Sequence, residues 1–121
     1  MLLKVRKNSE YTIVNAPERV DTLLAADFEL ALLDAGTLED YNMVIDCSKL
    51  VYLSSSGLRV FLLVQKKMLA KGVKLSICHL NPAIQELFNI SGFSMIFAVY
   101  TDLEAAIAEI TEQHRNTSPR E

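Results

Sequence analysis

Apolar residues along this chain keep switching between two spacings, and that alternation restricts the fold more than any other feature. Val73, Leu75 and Ile77 alternate with Lys74 and Ser76, as a strand requires. Leu58, Phe61, Leu62, Val64 and Leu69 instead follow the roughly 3.6-residue repeat of a helix. Taken in order, the segments read β-β-α-β-α-β-α-β-α. Leu2, Leu3 and Val5, then Tyr11, Ile13 and Val14, flank the turn-forming cluster Asn8-Ser9-Glu10 and predict an opening hairpin. Thr22 is the expected cap of a first helix carrying Leu23, Leu24, Phe28, Leu32 and Leu33, ended at Ala35-Gly36 by a left-handed glycine. Met43-Val44-Ile45 predicts a short strand covered on both faces and ending at Asp46.

Ser54-Ser55-Ser56-Gly57 opens the strongest helical pattern, with Arg59, Lys66, Lys67 and Lys71 outside its apolar stripe and Gly72 closing it. Asn81-Pro82 supplies a cap and a first-turn proline for a helix carrying Ile84, Leu87 and Phe88. Gly92 breaks the chain before a last strand expected over Met95 to Val99, and Asp102 opens a helix with Leu103, Ala106, Ile107 and Ile110 on one side. Strands alternating with helices imply a mostly parallel sheet. With the opening hairpin, the expected architecture is α/β: a mixed sheet of four to five strands and about four helices packed mainly on one face. A single domain is expected over residues 1–113, with 114–121 a polar flexible tail.

The balance of charge narrows the partners. A net charge of −3 and a pI near 5.4 disfavour phosphate backbones, which are bound by clustered Lys and Arg, so no nucleic acid is expected. Lys66, Lys67, Lys71 and Lys74 form a basic run at the spacing of a solvated helix face. The longest mainly apolar stretch, Leu58 to Val64, is interrupted by Arg59 and is far shorter than the ~20 residues of a spanning helix. No membrane insertion is expected. Two cysteines, Cys47 and Cys78, are too few for the disulfide framework of a small secreted domain, and no leader pattern opens the chain. A reducing cytoplasm is the expected compartment.

Candidate chemistry is sparse. Ser55, His79 and Asp46 lie at or beyond the same ends of expected strands, but a nucleophile elbow requires glycine two residues before the serine, where Leu53 stands. No catalytic residues are assigned, and the chain is expected not to be an enzyme. Cys47, Cys78 and His79 could gather as metal ligands, yet no C-x-x-C or H-x-x-x-H spacing is present, and no metal is assigned. With four glycines and no G-x-G-x-x-G or G-x-x-x-x-G-K segment, no nucleotide or other cofactor is expected. The serine cluster remains. Its hydroxyls can cap the helix they open, and the unpaired amides and positive dipole there also suit a phosphate carried by a serine.

The segment Val44-Ile45-Asp46-Cys47-Ser48, followed by Tyr52 to Leu58, resembles the signature of the STAS family, a strand ending in Asp and then Asp-Ser-Ser-Gly-Leu. Glu18-Arg19-Val20-Asp21-Thr22 resembles that family's Gly-Arg-Leu-Asp turn, and Asn81-Pro82 with Leu87, Gly92 and Phe93 resembles its later elements. The likeness runs from about Tyr11 to Ile110 and is strongest to antagonists of anti-sigma factors. It implies a STAS-like fold and a protein that works by binding an anti-sigma factor that is itself a serine kinase. It also implies release of that partner on phosphorylation of Ser55, a modification that a phosphatase would reverse. The implied partner surface comprises Asp21, Asp46, Ser54, Ser55, Ser56 and Gly57. Two positions depart from the pattern: Ser54 stands where antagonists usually have Asp, and Glu18 where they commonly have Gly. Ser54 and Ser56 are alternative acceptors. The alternative role implied by the same fold is an accessory subunit of an anion or lipid transporter.

Overall fold

A computed structural model describes residues 3–37 and 42–117. The opening hairpin forms as expected, with β1 (Lys4–Lys7) antiparallel to β2 (Tyr11–Asn15). Asn8 makes the turn, its Oδ1 accepting from the amides of Glu10 (2.8 Å) and Tyr11 (2.9 Å). Leu2 lies outside the described residues. Beyond the hairpin, β4 (Asn42–Asp46), β6 (Leu75–Cys78) and β7 (Ala98–Tyr100) continue the sheet in parallel, giving the order β1-β2-β4-β6-β7.

The helices are α1 (Ala25–Thr37), α2 (Ser55–Ala70), α3 (Pro82–Ser91) and α4 (Leu103–Thr117). Three of them cover one face of the sheet. Phe28 of α1, Phe61 of α2 and Phe88 of α3 meet there over Met43, Ile45, Leu75 and Ile77. Phe61 takes edge-to-face positions at 5.7 Å from Phe28 and 5.8 Å from Phe88, an arrangement favoured by the ring quadrupoles. On the opposite face α4 places Ala106 and Ile110 against Ile13, Val44 and Cys78. With helices on both sides the central strands are buried throughout, as Met43-Val44-Ile45 suggested. Val73 and Lys74 precede β6, and its four residues are likewise all buried. Among the described residues no helix is long and apolar enough to cross a membrane.

Local expectations were corrected where packing intervened. Asp21, not Thr22, caps the turn into α1, its Oδ1 accepting from the Leu24 amide at 3.0 Å, and Leu23 is thereby turned out to 89% exposure. Gly36 lies inside α1 and not in a left-handed cap; a Cβ there would stand 2.7 Å from Met68 Cε, so glycine permits α1 to approach α2 closely. The buried stripe of α2 is Val60, Phe61, Val64, Gln65 and Met68, with Leu62 half-buried and Leu69 exposed. A turn of 3-10 helix at Phe93–Met95 delays the last strand to Ala98 and leaves Met95 89% exposed. Helix α4 extends to Thr117, so the first residues of the expected polar tail are helical; residues 118–121 lie outside the described set.

Candidate functional site

Two short strands that the sequence pattern did not suggest build the site. β3 (Arg19–Val20) pairs in parallel with β5 (Tyr52–Leu53), forming a second sheet in the register Arg19↔Tyr52 and Val20↔Leu53. The pairing extends at both ends. The Glu18 carbonyl accepts from Val51 N at 2.8 Å, and the Val20 carbonyl accepts from Ser54 N at 2.9 Å. Asp21 and Ser54, each the next residue after its strand, are therefore set side by side. Glu18 contributes through its backbone without a positive φ, so the usual glycine is not required for this geometry. The Arg19 guanidinium sits 4.4 Å from the centre of the Tyr52 ring and fixes the outer side of the pair. A two-residue strand has no detectable period, which is why the sequence pattern did not show Arg19–Val20 and Tyr52–Leu53 as strands.

Helix α2 starts at this junction. Ser54 is extended (φ −76°, ψ 170°), and its Oγ accepts from the Gly57 amide at 3.0 Å. Serine and aspartate cap helices about equally well, so Ser54 in place of Asp keeps the cap while removing a carboxylate. Ser55 is the first helical residue and is exposed; Ser56 is half-buried. Gly57 is buried for a steric reason. A Cβ on it would fall 2.7 Å from Leu53 Cδ1, 2.8 Å from Val20 Cγ1 and 2.9 Å from the Val20 carbonyl oxygen. Only a residue without a side chain lets α2 start directly over the β3–β5 pair. Near this junction the apolar side chains of Leu23, Val51 and Tyr52 are exposed.

Asp46 does not join this group. Its carboxylate, 7% exposed, accepts from Ser48 N at 3.0 Å and lies with Cys78 and His79 on the α4 side of the sheet. The family resemblance had included it in the implied partner surface. The alternation of a strand points it to the face opposite Ile45. The suspected trio of Cys47, Cys78 and His79 also divides: Cys47 packs in the main core, Cys78 against α4. Burial first, then the charges of Asp46 and Asp102, pushes the Cys78 thiol up to about 12. Cys47 is raised further, by burial and then by Cys78 and Asp46. Both are protonated at neutral pH.

Comparison with known proteins agrees with this geometry. Residues 3–106 match the model of the STAS domain. BtrV of Bordetella bronchiseptica, named as a candidate anti-sigma factor antagonist, is 47% identical over 67 residues, 55% of this chain and 58% of BtrV. The anti-sigma F factor antagonist of Paenibacillus polymyxa is 30% identical over 69 residues, 57% of this chain and 59% of that protein. The chain thus spans less than two thirds of the curated relatives it matches. Among solved structures, an anti-sigma-factor antagonist (STAS) domain protein from Planctomyces limnophilus superposes with a TM-score of 0.81 at 14% identity, over 90% of this chain and 97% of its own. With the mixed sheet, the serine-capped helix and a family match over most of its length, the chain belongs to the STAS domain family.

Proposed function

We propose that this protein is a partner-switching regulator of the anti-sigma-factor-antagonist type. It binds an anti-sigma factor with serine-kinase activity through the Asp21 turn and the start of α2, and catalyses no reaction itself. The observation that carries the reading is the placement of Ser55. It is exposed on the first residue of α2, beside a turn that the β3–β5 pair holds against it. The first amides of a helix have no partner within it and its dipole is positive there, so a phosphate on Ser55 is accommodated without unfolding the helix. The same phosphate adds about −1.5 to −2 charges to the surface a partner must desolvate. The names of the two curated relatives support the same role.

The test compares protein phosphorylated at Ser55 with unmodified protein, titrated calorimetrically against the anti-sigma factor kinase of the source cell. A loss of about a hundredfold in affinity, or roughly 2.8 kcal/mol at 1.4 per decade, is expected. Unchanged affinity, or a kinase that modifies none of Ser54, Ser55 and Ser56, would overturn the switch.

A further inference from the structure

The registers of the main sheet line up one residue from each strand along one edge, Lys4 at the start of the antiparallel β1 and Asn15, Asp46, Cys78 and Tyr100 at the carboxyl ends of the other four, each paired with the next. Paired residues project to the same face, and this row lies on the side covered by α4. Three chemically different donors converge in it. The ligand atoms of Asp46, Cys78 and His79 all lie within 4.8 Å of one another, an oxygen, a sulfur and a nitrogen. Two further observations point to something bound between them. Asn15, paired with Asp46, has a buried Oδ1 with no hydrogen-bond partner among the described residues. A buried acceptor left so costs about 1–3 kcal/mol. Secondly, His79 is held at φ 63°, a left-handed conformation uncommon for a residue with a side chain. Backbone strain of this kind is tolerated where a side chain must be aimed.

We propose that Asp46, Cys78 and His79 form a binding site for a divalent transition-metal ion of the zinc type, with the Asn15 carboxamide facing the ion or its water. The donor set selects the class: imidazole, and the thiolate left when the ion displaces the Cys78 proton to solvent, favour Zn2+ and its neighbours over Mg2+ and Ca2+, which take oxygen ligands. A tetrahedral ion with bonds of about 2.0–2.3 Å holds its donors about 3.3–3.8 Å apart, so closure takes about 1 Å of side-chain movement. Part of the outer shell is present, since the Ser48 amide orients Asp46 Oδ1. The Leu103 amide at the start of α4 donates to His79 Nε2 at 3.4 Å and competes with an ion for that nitrogen. That contact is long for a hydrogen bond, so its loss on metal binding costs little. Binding would join the end of β4 to the end of β6. The site is separate from the Ser55 surface and does not depend on the role proposed for it.

The full chain, stripped with a chelator, is titrated with Co2+ and then Zn2+ under reducing conditions. One equivalent of Co2+ should bind with the visible bands of a tetrahedral ion and a thiolate-to-metal charge-transfer band, both displaced by Zn2+. Cys78→Ser should abolish the charge-transfer band. Asp46→Asn and His79→Asn should weaken binding by at least the about tenfold that outer partners of metal ligands contribute. Asparagine is chosen at position 79 because it tolerates positive φ. Cys47→Ser should leave the spectrum unchanged. If Cys78→Ser fails to fold by circular dichroism, Cys78→Ala replaces it, since it buries no new polar group. A wild-type protein that binds no Co2+ overturns the site, as does a charge-transfer band that survives loss of Cys78 or disappears with Cys47.

Discussion

Ser54 and Ser76 carry the same side chain in two regions that treat it oppositely. At the turn before α2, the Ser54 hydroxyl accepts a helix amide and is half-exposed, and the Ser54 amide donates to the Val20 carbonyl of β3. On the α4 side of the main sheet, Ser76 is fully buried with no partner for its Oγ among the described residues, and Asn15 Oδ1 shares that condition. At the serine turn the hydroxyl is satisfied by local backbone, so that conformation does not require anything further to be bound. A polar group buried without a partner weakens the fold, and its persistence signals either a tolerated cost or something absent that completes it.

The contrast can be broken by substitution. The largest effect is expected at Gly57, where the added methyl of Gly57→Ala meets the Val20 carbonyl as well as two side chains. Overpacking of this kind should lower stability by about 1–3 kcal/mol and displace α2 from the β3–β5 pair. Denaturant midpoints measure the first effect and partner affinity the second; an unchanged midpoint would mean that the turn yields freely. The two serines should then diverge in sign. Ser54→Ala removes a cap and should cost about 1 kcal/mol, whereas Ser76→Ala removes an unsatisfied hydroxyl and should be neutral or stabilise by up to about 1 kcal/mol. Equal losses at both positions would show that Ser76 has a partner after all.

The smallest expected effect concerns the thiols. Burial raises both Cys47 and Cys78 above the ordinary 9.0, so the native state keeps protons that the unfolded chain gives up. Their contribution is constant below that value and is lost as pH rises above it. At the unfolded pKa the loss is RT ln 2, about 0.4 kcal/mol per thiol. Denaturation midpoints between pH 8 and 9 should fall less steeply in Cys78→Ala than in the parent chain. Parallel curves would show that Cys78 titrates normally.

Much of the fold was legible because it is written in short-range terms. Asn8 at the hairpin turn, Ser54 and Asn81 as caps, Pro82 in a first turn and Gly92 after a helix (φ 82°) each act on amides or carbonyls a few residues away. The run Met43-Val44-Ile45 likewise reports burial directly, whereas of the α2 stripe Phe61 and Val64 are buried, Leu58 and Leu62 half-buried and Leu69 exposed. Ser55 was placed at a helix start for the same reason. One error falls where a neighbour distant in sequence decided the outcome, since Gly36 answers to Met68, and another is local, since Asp21 takes the cap expected of Thr22 and Leu23 is exposed.

By itself, then, the sequence determined the order of the main-sheet strands and the helices, the starts of α2, α3 and α4 and the position of the serine turn, since period and capping are local properties of the chain. Tertiary structure alone decided which side chains share a face at the end of the sheet. The β3–β5 pair that sets Asp21 beside Ser54 holds two residues per strand, too few for any pattern. Asp46 and Cys47 are adjacent in sequence yet part to opposite faces, and Asp46 meets Cys78 only through the parallel register of β4 and β6. Register is fixed by burying both faces of the sheet at once, and that constraint exists only when the helices of both layers are in place.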